Sequence, residues 1–292
     1  MSSTSPNRLA YGAWVGVCLL WGTTYLAIRI ALETIPPMLM GGLRWTAAGA
    51  LILIVMKVRG EVLPGRRQWP ALALLGALFI LFGNGGVVWA EQTLPSGLTA
   101  VLVAVVPFWM VGVEWAAGSH EPLSLRRALG LVVGFAGIVL LVWPELELGQ
   151  GRGFLFGVLA TQLACLGWAI GSSYSRRRRP AENVLAAAAF QMCFGGLAML
   201  AAGLVHGEWP LLAFTARSGS ALAYLFVFGS IAGFSAYAYA LKHLPLATVS
   251  LYAYVNPVIA MGLGTVVLGE PMSPRLVVAG AVVLAGMAMV RR

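Results

Sequence analysis

The chain has 292 residues, of which 60% are hydrophobic and only 10% are charged, and its formal net charge is +9. A soluble domain carries about 25% charged residues, so this composition excludes a soluble globular protein and indicates a polytopic membrane protein. The basic residues lie in the gaps between apolar runs rather than on one exposed face. That pattern is typical of topology signals and argues against nucleic acid as a partner.

Ten apolar runs follow one another along the chain. A hydrocarbon core about 30 Å thick needs about 20 residues of helix, and the fifth and tenth runs are shorter, so they must stand nearly upright or borrow flanking residues. The first run carries Arg29 near its end and has no clear small-residue cleavage site, so we interpret it as a retained span rather than a signal peptide. The predicted spans are 11–32, 37–56, 69–90, 97–117, 128–143, 153–175, 184–205, 219–241, 247–268 and 276–290.

The distribution of Lys and Arg predicts the orientation. Of the 19 such residues, 14 lie on the side that holds the N-terminus and four on the other side, which places both termini in the cytoplasm. The 14 are Arg8, Lys57, Arg59, Arg66, Arg67, Arg126, Arg127, Arg176, Arg177, Arg178, Arg179, Lys242, Arg291 and Arg292.

The chain also contains an internal duplication. The stretch 94–107 recurs 150 residues later as 244–257, and shifts of 147 to 150 residues extend the match. We therefore predict two repeats of five spans each, residues 1–146 and residues 147–292. Matching positions are Leu94 with Leu244, Pro95 with Pro245, Pro107 with Pro257, Trp21 with Trp168, Glu61 with Glu208, Gly83 with Gly233, and Glu121–Pro122 with Glu270–Pro271.

An odd number of spans per repeat means that the second repeat enters the membrane from the opposite side. The charges agree, because loop 57–68 carries four basic residues whereas its counterpart 206–218 carries only Arg217. The predicted fold is an all-α integral membrane protein of ten transmembrane helices, arranged as two inverted five-helix repeats with both termini cytoplasmic. Such repeats enclose a site near the bilayer midplane and open it to either side in turn.

Six short motifs stand out: residues 20–25 (LWGTTY), 42–44 (GLR), 83–85 (GNG), 95–97 (PSG), 250–257 (SLYAYVNP) and 269–271 (GEP). Together they resemble an EamA-type transporter of the drug/metabolite transporter superfamily, over nearly the whole chain. The resemblance implies a central cavity formed by spans one to four and six to nine, with spans five and ten at the periphery. It also implies export of small metabolites, with amino-acid exporters as a prominent branch.

Arg44 is the strongest candidate for contact with a substrate. It lies about 12 Å into span two at a rise of 1.5 Å per residue, where a charge costs at least ~2.5 kcal/mol, so it should face a cavity or a partner. One interpretation is that it holds a carboxylate. The other is a structural arginine satisfied by backbone carbonyls, Glu91 or Glu33. Its counterpart in the second repeat is the neutral Gln191.

Aromatic and polar side chains supply the remaining candidates. Trp21, Thr24 and Tyr25 share one face of span one because they are three and four residues apart, and Trp168 with Ser172 repeats that face in span six. This pattern predicts an aromatic-walled pocket for an apolar side chain, with helix packing as the alternative. The other predicted cavity residues are Asn84, Gln191, Tyr237, Tyr252, Tyr254 and Asn256.

Pro107 and Pro257 predict kinks in spans four and nine. Each proline removes a backbone hydrogen bond and frees a carbonyl about one turn upstream. The freed carbonyls can bind a substrate amine, the kinks can act as hinges for gating, or the kinks can be purely structural.

The sequence contains ten acidic residues, all of them Glu, and they lie in loops or near span ends. No phosphate-binding loop occurs, and the three cysteines lie inside apolar runs without metal or disulfide spacing. We therefore predict no catalytic centre, cofactor or metal. Facilitated diffusion or exchange is favoured over proton antiport through Glu91 or Glu114.

The predicted function is an inner-membrane alternating-access carrier that exports small metabolites, most of all neutral and aromatic amino acids, as a monomer or homodimer in the lipid bilayer. Gly130 and Gly134 mark either a dimer face or packing within the monomer. The main alternative is a proton-coupled broad drug/metabolite efflux carrier, although a carrier of cations predicts a cavity acid that the sequence lacks. A sugar-phosphate carrier would need more buried cations than Arg44, and a membrane enzyme would need a buried catalytic pair.

Overall fold

The computed structural model describes residues 5–118, 125–147, 151–178 and 183–291, and within these ranges every regular element is helical. Residues 121 and 122 of the predicted repeat match lie outside the described ranges. The α-helices are α1 Ser5–Ala31, α2 Pro37–Val58, α3 Trp69–Gly76, α4 Gly85–Ala90, α5 Ser96–Val103, α6 Val106–Ala116, α7 Leu125–Glu147, α8 Gly151–Arg177, α9 Val184–Val205, α10 Ala216–Tyr224, α11 Ser235–His243, α12 Leu246–Val249, α13 Tyr252–Leu268 and α14 Pro274–Arg291.

Seven helical segments among the described residues are long and apolar enough to cross a membrane. They correspond to the predicted spans one to four and six to eight, and two shorter apolar helices, Tyr252–Leu268 and Pro274–Gly286, follow. The helix at the fifth predicted run is longer than the run itself, because α7 covers the 23 residues Leu125–Glu147. The helix therefore borrows its flanking residues. The seven segments are Arg8–Ala31, Pro37–Val58, Arg66–Ala90, Ser96–Ala116, Arg152–Arg177, Val184–Val205 and Ala216–His243.

Two of these segments contain π-helical stretches that the sequence did not predict. Ala77–Asn84 joins α3 to α4, and Leu225–Phe234 joins α10 to α11. Their last residues are 150 positions apart, which is the shift that relates the predicted repeats. A π-helical turn accommodates an extra residue and frequently marks a functional site, so both stretches are described further below.

Each proline that predicts a kink lies downstream of a break in its span. α5 ends at Val103 and α6 begins at Val106, which places Pro107 in the first turn of α6. α12 ends at Val249 and α13 begins at Tyr252, which places Pro257 inside α13. The first interruption lies two to three residues before Pro107, within reach of the steric effect of its ring, whereas the second lies six to seven residues before Pro257 and beyond that reach.

Small residues allow the closest helix contacts. α2 packs against α9, where a Cβ added at Gly49 would lie 2.6 Å from the carbonyl oxygen of Ala189. α7 packs against α14, where the backbone of Gly286 lies against that of Gly134. Gly134 therefore serves packing within the monomer, which is one of the two interpretations of the glycine pair in α7.

Candidate functional site

The bundle has two dissimilar ends. At one end, the start of α3, the end of α8, the start of α9 and the end of α11 surround an open depression of about 700 Å³. We call this the vestibule end. At the other end, the last turn of α1, the first turn of α2 and the helices α4 and α10 meet in a sealed contact, which we call the closed end.

A small cavity of about 70 Å³ lies between these ends. Its lining comes from α1, α2, α4, α5, α6, α8, α13 and both π-helical stretches, so it takes residues from both halves of the chain. We call it the central cavity. Its lining comprises Trp21, Thr24, Tyr25, Ile28, Arg44, Trp45, Gly83, Asn84, Val87, Val103, Val106, Ala164, Cys165, Trp168, Gly229, Tyr252 and Asn256.

Arg44 is the cationic residue among this lining, and only 3% of its surface is exposed. Its Nη2 donates to Oδ1 of Asn84 at 2.5 Å, and the indole nitrogen of Trp45 donates to the same oxygen at 2.9 Å. The guanidinium also lies 4.8 Å from the centre of the Trp45 ring. Neither Glu91 nor Glu33 pairs with Arg44, because the carboxyl oxygens of Glu91 have no hydrogen-bond partner and Glu33 binds Arg217 at 3.0 Å.

The buried guanidinium is not fully satisfied. Its Nε has no hydrogen-bond partner. Its Nη1 lies close to the backbone of Gly229, where an added Cβ would be only 3.3 Å away. A buried donor without an acceptor costs free energy, and an anionic group in the cavity would remove that cost. The geometry therefore suits a ligand with one carboxylate.

The first π-helical stretch positions the acceptor for Arg44. Asn84 is the last residue of that stretch, and α4 begins at the next residue. The second stretch contributes Gly229, whose carbonyl oxygen accepts a hydrogen bond from the Trp21 indole at 3.3 Å. The first π-helical stretch is thus hydrogen-bonded to α2 through Asn84, and the second is hydrogen-bonded to α1 through Gly229.

Five aromatic side chains, which we call the aromatic layer, separate the central cavity from the vestibule. Two of them line the cavity and three line the vestibule, and their ring centres lie 4.9 to 5.3 Å apart at the tightest contacts. The hydroxyl oxygen of Tyr237 accepts a hydrogen bond from the Trp168 indole at 2.9 Å and lies 2.8 Å from Oγ of Ser172. The layer consists of Trp21, Phe79, Trp168, Phe234 and Tyr237.

The vestibule beyond this layer is strongly basic. Arg67, Arg176, Arg178 and Lys242 line it, and no acidic residue is among its described lining. Gln191 also lies on its wall. An anionic or zwitterionic solute would meet this surface before it meets the aromatic layer.

At the closed end, eight apolar residues seal the path from the central cavity. Ile28 lines the cavity itself, and the others pack with it in one buried cluster. We call this cluster the apolar plug. Its members are Ala27, Ile28, Ala31, Ile35, Met40, Val88, Ala221 and Leu225, each at most 7% exposed.

Two carboxylates hold helix N-termini at the closed end. Glu208 accepts hydrogen bonds from the backbone N–H groups of Met38 and Leu39 at 3.3 and 2.9 Å. Glu270 accepts from the backbone nitrogens of Ser96 and Gly97 at 2.9 and 3.3 Å, and from Oγ of Ser96 at 2.8 Å. Because α2 and α5 each follow a proline without a capping side chain, these carboxylates satisfy otherwise free N–H groups.

The structure brings together most of the residues that the sequence proposed. The central cavity is lined by eight of them: Trp21, Thr24, Tyr25, Arg44, Asn84, Trp168, Tyr252 and Asn256. Tyr237 and Ser172 lie in or against the aromatic layer. Gln191 lies on the vestibule wall, and Tyr254 lies in a separate peripheral groove beside Trp14.

Asn256 has a structural connection beside its place on the cavity wall. In the orientation that satisfies its amide, the nitrogen donates to the carbonyl oxygens of Cys18 at 2.9 Å and of Tyr252 at 3.1 Å. It therefore ties α13 to α1. Trp45 also lines the cavity, which the sequence pattern did not predict, and Glu208 and Glu270 cap helices although their positions in loops predicted no role for them.

The two halves of the chain match one family. The EamA-like transporter family matches residues 8–143 and again residues 155–292. The chain belongs to this family. It is therefore a membrane transporter, which confirms the family resemblance of its motifs.

Several proteins of similar sequence carry transporter names. The uncharacterized inner membrane transporter YedA of Escherichia coli K12 is 37% identical over 267 residues, which cover 90% of this chain and 84% of that protein. The uncharacterized transporter YoaV of Bacillus subtilis is 21% identical over 276 residues and 94% of each chain. A crystal structure that covers 99% of this chain at 22% identity has a TM-score of 0.69 and supports the fold.

Proposed function

We propose that this protein is an alternating-access carrier that exports small zwitterionic metabolites, in particular neutral and aromatic amino acids, across the bacterial inner membrane. The observation that carries the proposal is the buried Arg44, whose Nε lacks an acceptor in a cavity walled by Trp21, Trp168 and Tyr252. A single guanidinium suits one carboxylate, and the aromatic wall suits an apolar side chain.

An inverted pair of repeats, 1–146 and 147–292, would supply the alternating access. Three features support the duplication: the family matches twice, the π-helical stretches end 150 residues apart, and Gly60 and Gly207 both have positive φ before a glutamate. In this arrangement the open vestibule and the sealed end are two shapes of one repeat pattern. Exchange of the shapes would open the closed end.

The proposed orientation places the vestibule end in the cytoplasm, together with both termini. Its four basic lining residues follow the positive-inside rule. The name of the relative YedA agrees with the inner membrane. Substrate would then enter from the cytoplasm through the vestibule and leave through the closed end.

The present shape is contracted around the site. Ligand pockets usually enclose about 300 to 1,000 Å³. The central cavity of about 70 Å³ is smaller than this range, whereas the vestibule of about 700 Å³ falls within it. An amino acid would therefore part the aromatic layer before its carboxylate reaches Arg44, and we propose that this step commits the carrier to transport.

Counterflow in proteoliposomes tests this function. Vesicles loaded with unlabelled phenylalanine, methionine or threonine should accumulate the same labelled amino acid transiently, without ATP or a pH gradient. Arg44→Lys keeps the charge but not the forked geometry and should exchange more slowly than the wild type. Exchange of a cationic dye with none of the three amino acids would reject this substrate class.

Proton-coupled efflux of a broader substrate set is the second candidate, and the observation that favours it is Glu91, which is fully buried. A pH gradient imposed across the same vesicles separates the two functions. Uphill accumulation driven by the gradient would support coupled antiport. Equal final distributions with and without the gradient would support facilitated diffusion or exchange.

A further inference from the structure

Three carboxyl groups are withdrawn from solvent around the closed end, and their surroundings differ. Glu208, 5% exposed, and the partly buried Glu270 both accept backbone N–H groups. Glu91 is 0% exposed, and neither of its carboxyl oxygens has a hydrogen-bond partner. Arg29 donates to the main-chain carbonyl of Glu91 rather than to its carboxyl group.

The charged and titratable groups near Glu91 come from several elements. Tyr25 and Arg29 belong to α1, Arg44 belongs to α2, and Glu270 lies between α13 and α14. Burial raises the pKa of Glu91 well above that of an exposed glutamate, and Glu270 adds to this effect, whereas Arg29 and Arg44 oppose it. Glu91 follows the third apolar segment, which ends at Ala90.

An ionised carboxylate without donors is far more costly to bury than the neutral acid, so burial favours the protonated form. We infer that Glu91 is a proton-binding site that is occupied while the closed end is sealed and releases its proton when that end opens to water. The inference rests on the alternating access proposed above. It adds a regulatory ligand, the proton, which the cargo site does not require.

The proton enters and leaves on the same side. Glu91 lines neither the central cavity nor the vestibule, so in the present shape the vestibule offers it no water. Acid outside the closed end would thus favour sealing without driving net transport. The pKa of Glu91 in the sealed shape is raised above that of a water-exposed glutamate. Sealing is therefore strongest below the ordinary glutamate pKa of about 4.3 and weakens as the pH rises through the raised pKa.

Labelling of an engineered thiol measures this linkage independently of any substrate. Ala31 is a 0% exposed member of the apolar plug, and Leu211, on the segment between α9 and α10, is 69% exposed. The experiment uses Ala31→Cys in nanodiscs, in a background with Cys18, Cys165 and Cys193 replaced by alanine. Leu211→Cys supplies the correction for the pH dependence of the thiol itself.

The corrected rate of maleimide labelling at Ala31→Cys should rise between pH 5.5 and 8, by at most about tenfold per pH unit. Glu91→Gln, which resembles the neutral acid, should abolish this slope and keep labelling slow. Glu91→Asp should retain a slope. Glu208→Gln, the matched control from the same end, should raise labelling at every pH and leave the slope unchanged.

A slope that persists in Glu91→Gln, or a flat profile in the parent protein, would overturn the assignment. Uphill transport driven by a pH gradient would overturn the same-side exchange of the proton, because coupling requires access from both sides. A slope present in a protein that exchanges none of the amino acids would reject the proposed cargo and leave the proton site standing. Absence of labelling at every pH would reject both the opening of this end and the site.

Discussion

The vestibule end and the closed end use the same local motif in different ways. Gly60 and Gly207 have φ of 69° and 75°, and the glutamate after each donates its backbone N–H to a carbonyl five residues earlier at 3.0 and 2.9 Å. Glu208 at the closed end caps α2, however, whereas Glu61 at the vestibule end is exposed and accepts a hydrogen bond from the Asn183 amide at 3.3 Å.

This difference shows that the glutamate of one motif can cap a helix at one end of the bundle and stay exposed at the other. The side chain of Asn183 caps α9 by accepting the N–H of Ala186 at 3.0 Å, so Glu61 is not required there in this shape. Pro36 precedes α2 and provides no side-chain cap, so Glu208 must provide it. In the proposed inverted repeat, the opposite shape would engage Glu61 and release Glu208.

The largest expected effect concerns Arg44, the proposed binding partner of the substrate carboxylate. Arg44→Ala should lower amino-acid counterflow by about a hundredfold, because the truncation removes a buried charged partner of the carboxylate. Initial rates in proteoliposomes measure the change, and size-exclusion chromatography measures folding. Parallel loss of folding and transport would instead identify a structural arginine.

Weakening the cap that Glu208 provides for α2 should open the closed end. Glu208→Gln retains the shape of the side chain but loses its charge-assisted hydrogen bonds to Met38 and Leu39, so the corrected labelling rate of Ala31→Cys should rise about three- to tenfold. Unchanged labelling would show that the apolar plug alone seals this end.

A smaller effect is expected at the aromatic layer. Tyr237→Phe removes the hydroxyl that contacts Trp168 and Ser172, and neutral hydrogen bonds contribute about 1 kcal/mol each. Alkylation of the native Cys165 in the central cavity should accelerate about two- to fivefold, measured with Cys18 and Cys193 replaced. Slower alkylation would contradict the role of the layer as the barrier toward the vestibule.

The smallest effect is expected for Glu61→Gln, the repeat counterpart of Glu208→Gln. Exposed polar contacts contribute little, so Ala31→Cys labelling should change by less than about twofold. A change as large as that of Glu208→Gln would remove the distinction between the two ends.

Much of this molecule follows from sequence periodicity and from the cost of burying charge. The depth of Arg44 in span two predicted that it faces a cavity or a partner, and it both lines the central cavity and binds Asn84. The spacing of Trp21 and Tyr25 placed both on one wall. The sequence could not reveal that Gln191 and Tyr254 lie outside the central cavity. Of their two helices, α13 contributes Tyr252 and Asn256 to the described lining of that cavity, whereas α9 contributes no residue, because the position and rotation of each helix depend on its neighbours.

The sequence by itself determined the family, through its short motifs. It also determined the apolar segments and the identity of the deeply placed cation Arg44, because a bilayer tolerates apolar helices and penalises charge residue by residue. Only the tertiary structure decided that Asn84 rather than Glu91 or Glu33 binds Arg44, that two π-helical stretches reach the cavity, and that Glu208 caps a helix in the other half of the chain. These features depend on contacts between residues 39 to 208 positions apart. Hydropathy and local spacing carry no information about contacts over such separations.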